Sequence, residues 1–158
     1  MKVYNFNDSV KESEFFENIL DLYFGKFYEI KKVSMEEQKK GIDRIFTSNK
    51  GISKVEYKSD GKTRETRNVF IETISNDVKL DEGWSVKSES DIIVYYCIGI
   101  ALYIIETNVL RSNLPMIINN YKKVTCKNED YSSHGRLFPL KEFEKICKKK
   151  ISELELLK

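Results

Sequence analysis

Apolar residues recur along the chain with two different periods, and each change of period marks a change of element. The first run is helical: Phe16, Ile19, Leu20 and Tyr23 fall on one face. Ser9 stands where an N-cap belongs, Glu12 three residues on completes a capping box, and Gly25 ends the run. Residues 27–33 read as a first strand, and the charged stretch 35–40 as a loop. Two β-like runs then flank the turn Ser48-Asn49-Lys50-Gly51. Residues 59–68 are polar around a turn at Gly61. Residues 69–75 alternate as a strand, with Val69, Ile71 and Thr73 on one face and Phe70, Glu72 and Ile74 on the other.

A polar connector, 76–90, is broken by Gly83-Trp84. The runs 91–96 and 101–105 are continuously apolar around Gly99, which predicts two strands covered on both faces. Thr107 or Asn108 can cap a helix running to Asn113, and Pro115 predicts a break before a second short helix to Asn120, capped by Asn113. A short strand near Val124 and a last strand over 135–138 follow. Pro139 suits the first turn of a closing helix whose buried stripe is Leu140, Phe143, Ile146, Cys147 and Ile151, with Lys148, Lys149 and Lys150 near its end. The elements together predict an α/β (α+β) chain, a mixed central sheet flanked by helices, formed as one domain over 1–158.

The run from 38 to 72 carries the candidate chemistry. If the strands fold about Asn49-Lys50, residues whose numbers share one sum face each other: Ser48 meets Gly51, Ile45 meets Lys54, and Asp43 meets Glu56. Opposed side chains on one sheet face lie roughly 5 Å apart. Lys58 is two residues beyond Glu56 and shares its face. A slip of one residue would send Asp43 to the other side.

Two carboxylates this close repel unless a cation relieves them. Mg²⁺ is held by one or two carboxylates together with waters and a substrate phosphate. A lysine beside it can orient or deprotonate water, or neutralise charge on the phosphate. The kit suits metal-assisted phosphodiester hydrolysis. An acid and a lysine on neighbouring strands are also what a solvated sheet face with a weak salt bridge looks like.

Asp43, twelve residues, then Glu56-Tyr57-Lys58 resembles the motif of the PD-(D/E)XK nuclease superfamily, which includes restriction endonucleases, Holliday-junction resolvases and many phage nucleases. The proline usual before the aspartate is replaced by Ile42. The resemblance covers 12–96, with a weaker echo at 135–143. The pieces Gln38-x-x-Gly-Ile-Asp, Arg67-Asn68-x-Phe-Ile-Glu72 and Gly83-Trp84 look like small phage or mobile-element members. The resemblance implies a restriction-endonuclease-like fold and a DNA endonuclease. Mg²⁺ or Mn²⁺ would be held by Asp43, Glu56 and the Tyr57 carbonyl, with Lys58 catalytic. It also implies a glutamate from the first helix, Glu12 first and Glu17 second. Gln38 and Glu72 are supporting candidates, although a plain loop residue and an exposed edge acid read the same.

Lys62, Arg64, Arg67 and Asn68 follow Lys58 and would suit phosphate contacts, as would any solvated loop. Many relatives are dimers, so a homodimer is possible. The resemblance places the chain in the cytoplasm of a bacterial or phage-infected host cell. The alternative is a nuclease-fold protein without turnover, acting as a DNA-binding or phage anti-defence factor.

Composition narrows the picture further. The chain has 158 residues, 41% hydrophobic and 33% charged, with a net charge of +2. It is no polycation, so a nucleic-acid surface must arise by clustering of its 27 lysines and arginines. Cys97, Cys126 and Cys147 have no metal-ligand spacing and His134 is the single histidine, which argues against zinc and for reduced thiols. The most apolar stretch, 92–105, is short for a membrane span, and the acidic N-terminal stretch lacks a signal-peptide core.

Overall fold

The computed structural model describes residues 6–158, with side chains from Val10 onward. Helix α1 (Phe6–Phe24) puts Leu20, Tyr23 and Phe24 on one buried face, with Phe16 and Ile19 packed alongside. It begins three residues before Ser9, so Ser9 is inside the helix rather than at its cap. The side chain of Ser9 and residues 1–5 lie outside the described residues. At Gly25 a Cβ would come within 2.8 Å of the Asp21 carbonyl, so glycine stands where the helix ends.

Strand β1 (Glu29–Lys32) follows, and then α2 (Met35–Lys39) where a loop was expected. The reason is a cap: the Ser34 hydroxyl accepts from the Glu37 N–H. The hairpin is β2 (Arg44–Ser48) and β3 (Gly51–Asp60), with Arg44 opposite Val55 and Ser48 opposite Gly51, the register set by the two-residue turn.

Next come α3 (Thr63–Thr66), β4 (Asn68–Asn76), β5 (Asp81–Glu82) and α4 (Trp84–Lys87). Strands β6 (Ile92–Cys97) and β7 (Ala101–Glu106) turn at Gly99, where φ is +84°. Helix α5 (Thr107–Asn120) leads to β8 (Lys123–Lys127) and β9 (Ser132–Pro139). The chain closes with α6 (Leu140–Ile146), β10 (Lys149–Ser152) and α7 (Glu153–Leu156).

The strands form two sheets. One is six-stranded and mixed, in the order β1-β2-β3-β6-β7-β10, with β3 and β6 parallel and the other neighbours antiparallel. The other is four-stranded and antiparallel, β5-β4-β9-β8. A parallel pair needs a crossover. Here the crossover from β3 to β6 carries α3, β4, β5 and α4, so the chain builds part of the second sheet on its way back.

The large sheet is buried on both faces. Val55, Tyr57, Val94, Tyr96 and Leu102 pack against α1, with Leu156 of α7 in the same cluster. Ile93, Tyr95, Cys97, Tyr103 and Ile105 face α5, α6 and the inner side of the second sheet, which contributes Val69, Ile71 and Phe138. The mixed α/β architecture is the expected one. The second sheet was not expected: the strands at 69–75 and 135–138 pair with each other, Val69 opposite Phe138, instead of joining the central sheet.

Two helical expectations fail for readable reasons. Helix α5 runs unbroken through Pro115, with Leu110, Leu114 and Ile117 buried on one face on both sides of it. Packing of that stripe outweighs the hydrogen bond the proline removes. Asn113 does not cap a second helix; its amide donates to the Val109 carbonyl at 2.8 Å. Nor does the closing helix reach Ile151. Leu140 and Phe143 lie on one side of the large sheet and Ile151 on the other, which no single straight stripe can satisfy. The chain therefore leaves α6 at Cys147, donates from the Lys148 N–H to the Ile104 carbonyl, and becomes β10 with Ile151 opposite Leu102. Lys149 and Lys150 are strand residues, and Lys148 immediately precedes them.

Candidate functional site

The hairpin places Asp43 at the lip of the sheet, one residue before β2. Its N–H donates to the Val55 carbonyl at 2.8 Å, and its Oδ2 accepts the Tyr57 N–H at 2.8 Å. A side-chain oxygen thus replaces a ladder carbonyl, which ties the Asp43 carboxylate to the Glu56-Tyr57 peptide. Gly41, at φ +76°, makes the bend from α2 into the strand. A Cβ there would meet Ser88 Cα at 2.9 Å and Glu56 Oε2 at 3.1 Å. Only glycine lets the backbone pass so close.

Glu56 is 2% exposed. Its Oε1 pairs with Lys58 Nζ at 2.9 Å, while Oε2 is buried and accepts no hydrogen bond among the described residues. Lys58 keeps 33% of its side chain in water. Burial pulls its pKa down, but Glu56 foremost, then Asp43 and Glu72, outweigh this and hold the ammonium above the ordinary lysine range. Glu72, from β4, lies in the field of both Lys58 and Glu56 and accepts the Trp84 N–H on Oε1 at 3.4 Å. Burial raises its pKa, and Lys58 and Lys87 offset only part of the shift. Asp43, Glu56, Lys58 and Glu72 therefore share one electrostatic neighbourhood, drawn from two sheets.

A second polar group holds the hairpin from the α1 side. Arg44, 4% exposed, donates through Nε to Asp21 Oδ1 at 3.0 Å and through Nη2 to Oδ2 at 3.0 Å. Its Nη1 donates to the Asp43 carbonyl at 2.9 Å, and the Tyr57 hydroxyl also donates to Asp21 Oδ1, at 3.0 Å. The guanidinium lies 5.3 Å from the Tyr57 ring centroid. Of the two α1 glutamates, Glu17 stands within 4.0 Å of Arg44 and feels Asp43; burial chiefly, then Asp43 and Asp21, raises its pKa against the pull of Arg44. Glu12 is exposed and lines a cleft further along the helix.

That cleft, of about 810 Å³, opens beside Lys58 and Glu72. Lys62 and Asn68 line it too; Arg64 and Arg67 do not. The Arg64 side chain lies over the Gly99 turn, and Arg67 closes α3 in the left-handed region at φ 57°. No ion pair joins Arg67 to Glu72 among the described residues. Gln38 is exposed on α2, where its carbonyl accepts the Gly41 N–H, and no hydrogen bond joins its side chain to Asp43, Glu56 or Lys58 among the described residues. Ser88 is buried, donating to the Gly41 carbonyl and bonded to Ser90, which in turn bonds Thr107.

Sequence reasoning missed Arg44, Asp21, Gly41 and Ser88. Arg44 and Gly41 flank the motif and carried a signal, an arginine whose parity puts it on the apolar face and a glycine at the bend. Asp21 and Ser88 are remote in sequence and carried none. Burial pushes the Cys97 and Cys147 thiols up to about 12, while Cys126 lines the cleft.

Two carboxylates, one with a buried oxygen that accepts no hydrogen bond among the described residues, are the donor type that suits Mg²⁺; neither lines the cleft beside Lys58. Among the described residues no three acids, histidines or cysteines cluster as a ready metal cage. No helix among the described residues is long and apolar enough to cross a membrane. No family model, curated protein or solved structure matches the chain.

Proposed function

We propose that this chain is a metal-dependent endonuclease that hydrolyses DNA phosphodiester bonds. The observation that carries the proposal is the buried Glu56 carboxylate, with one oxygen on Lys58 and the other accepting no hydrogen bond among the described residues. A buried carboxylate oxygen left unpaired is costly, and a cation or a water can relieve it; beside a second carboxylate, Asp43, a cation relieves both. Asp43 and Glu56, with the Tyr57 carbonyl, would hold Mg²⁺ or Mn²⁺. When bound, the ion supplies Lewis-acid polarisation of a phosphoryl oxygen and acidifies its water.

Lys58 stays protonated because three acids surround it, so its part is to neutralise charge developing on the phosphate rather than to take a proton. Burial raises the pKa of both Glu72 and Glu17, which makes each a better proton carrier than an ordinary glutamate. Glu72 faces the cleft by Lys58 and is the better placed to serve the reaction, while Glu17 backs Asp43 from α1. Lys62 and Asn68 line the same cleft and would position the strand through its phosphates. The motif hairpin inside a mixed sheet supports a restriction-endonuclease-like fold. A homodimer would present two such sites to two strands, in the cytoplasm of a bacterial or phage-infected cell.

The test is a cleavage panel over plasmid, branched and single-stranded DNA with Mg²⁺, Mn²⁺ or EDTA. Cleavage is expected with either metal and not with EDTA. Asp43→Asn keeps an acceptor for the Tyr57 N–H, so it should fold normally and lose at least about a hundredfold in rate. Intact DNA under every condition would overturn the enzymatic reading in favour of a DNA-binding or anti-defence factor.

A further inference from the structure

The cleft beside Lys58 is built for more than a phosphate. One wall is the outer face of the second sheet, where Phe70 and Leu137 stand half-buried; the other is formed by Phe16 of α1 and Ile98 of the β6–β7 turn. The floor carries Lys58 and Glu72. Gly135 lies opposite Glu72 in the β4–β9 ladder, and a Cβ there would run into the Ile71 carbonyl and come within 2.7 Å of the Phe70 ring. The ring therefore lies over the bare glycine backbone while lining the cleft.

Aromatic rings from Phe16 and Phe70 and the cations Lys58 and Lys62 on one cleft suit a flat heterocycle whose edges are polar and whose neighbour is an anion. About 810 Å³ is room enough for a nucleotide. Of the other acids lining the cleft, Glu12 is exposed, and Asp60 is engaged by the Tyr95 hydroxyl at 2.6 Å and by the Lys62 and Thr63 N–H groups, so Asp60 does not oppose the incoming phosphate with a bare charge. Stacking on aromatic rings is tolerant of sequence, because every base has a π-face.

Building on the endonuclease reading, we propose that this cleft seats one unstacked base of single-stranded DNA, with the adjoining phosphate directed to Lys58. The strand would therefore be engaged unpaired, or with one nucleotide turned out of the helix.

The test uses the full chain carrying Asp43→Asn, so that binding is read without turnover. Anisotropy compares a labelled 12-mer single strand with the same sequence as duplex. The single strand is expected to bind at least tenfold more tightly. Phe70→Leu keeps the apolar volume and removes the π-face; it should weaken single-strand binding by roughly tenfold with an unchanged thermal midpoint. Phe16→Ala, on the opposite wall, should weaken it likewise. A duplex bound as tightly as the single strand, or single-strand affinity untouched by Phe70→Leu, would overturn the proposal. The two readings fail separately. Wild type that cuts duplex with metal but ignores Phe70→Leu keeps the nuclease and loses the base seat. Strand binding that depends on Phe70 without cleavage keeps the seat and loses the nuclease.

Discussion

Glu56 and Lys58 depend on each other unequally. Lys58 reaches water and could survive alone, whereas Glu56 is enclosed and could not. Removing the lysine leaves a buried carboxylate with no cation, which costs far more than the pair contributes. Lys58→Met should lower unfolding free energy by about 1–3 kcal/mol in urea, less than for a wholly enclosed pair because Lys58 is partly solvated. Glu56→Gln in the same chain should restore most of it. Loss of stability on removing Lys58 is thus expected even if the reaction never occurs, and rates for that variant need folded fractions beside them.

Glu72 carries the opposite sign. Its folded pKa is raised by burial, so the folded chain holds that proton more tightly than the unfolded one. The stability this gives is present below the ordinary glutamate range and is lost as pH rises through the folded pKa. Above that range the ionised form is a cost. Glu72→Gln should match wild type in urea midpoint near pH 4 and exceed it at pH 7, while cleavage falls. A midpoint lower than wild type at pH 7 would mean that Lys58 and Lys87 already outweigh the burial.

At the scale of elements, the short α2 and its exit at Gly41 set the distance between Asp43 and the crossover. Gly41→Ala meets both a positive φ and the Ser88 backbone at 2.9 Å, so it should cost about 1–3 kcal/mol and disturb Glu56 as well. Gly61→Ala, whose Cβ would meet only Ile98 Cδ1 at 3.9 Å, should stay within about 0.5 kcal/mol. Thermal melts of the two variants make the comparison.

Elements also show what could be read in advance. The hairpin register was legible because a two-residue turn leaves one alignment that buries Phe46 and Val55 together on the α1 side. The cap of α2 was legible in Ser34 and Glu37 and was passed over because the stretch is so charged. Pro115 misled because propensity is local and the Leu110, Leu114 and Ile117 stripe is not. The turn from α6 into β10 hid behind an apolar spacing that served two faces of one sheet in succession.

At the scale of the whole molecule, the site is assembled from parts far apart in sequence. Asp43, Glu56 and Lys58 come from one hairpin and could be found locally. Glu72 reaches them only because the crossover between the parallel strands β3 and β6 detours through a second sheet, and Asp21 only because α1 docks on Arg44. Long-range pairing of β4 with β9 leaves no local mark, so neither the second sheet nor the cleft along its outer face was legible.

Everything functional turns on whether Asp43 and Glu56 together seat a divalent cation. Titrating Mn²⁺ into the purified chain while following free Mn²⁺ by electron paramagnetic resonance reads this directly. Wild type should take up Mn²⁺ at a site that Asp43→Asn and Glu56→Gln each abolish. Uptake unchanged in both variants, or none by wild type, would contradict the site and the hydrolysis built on it.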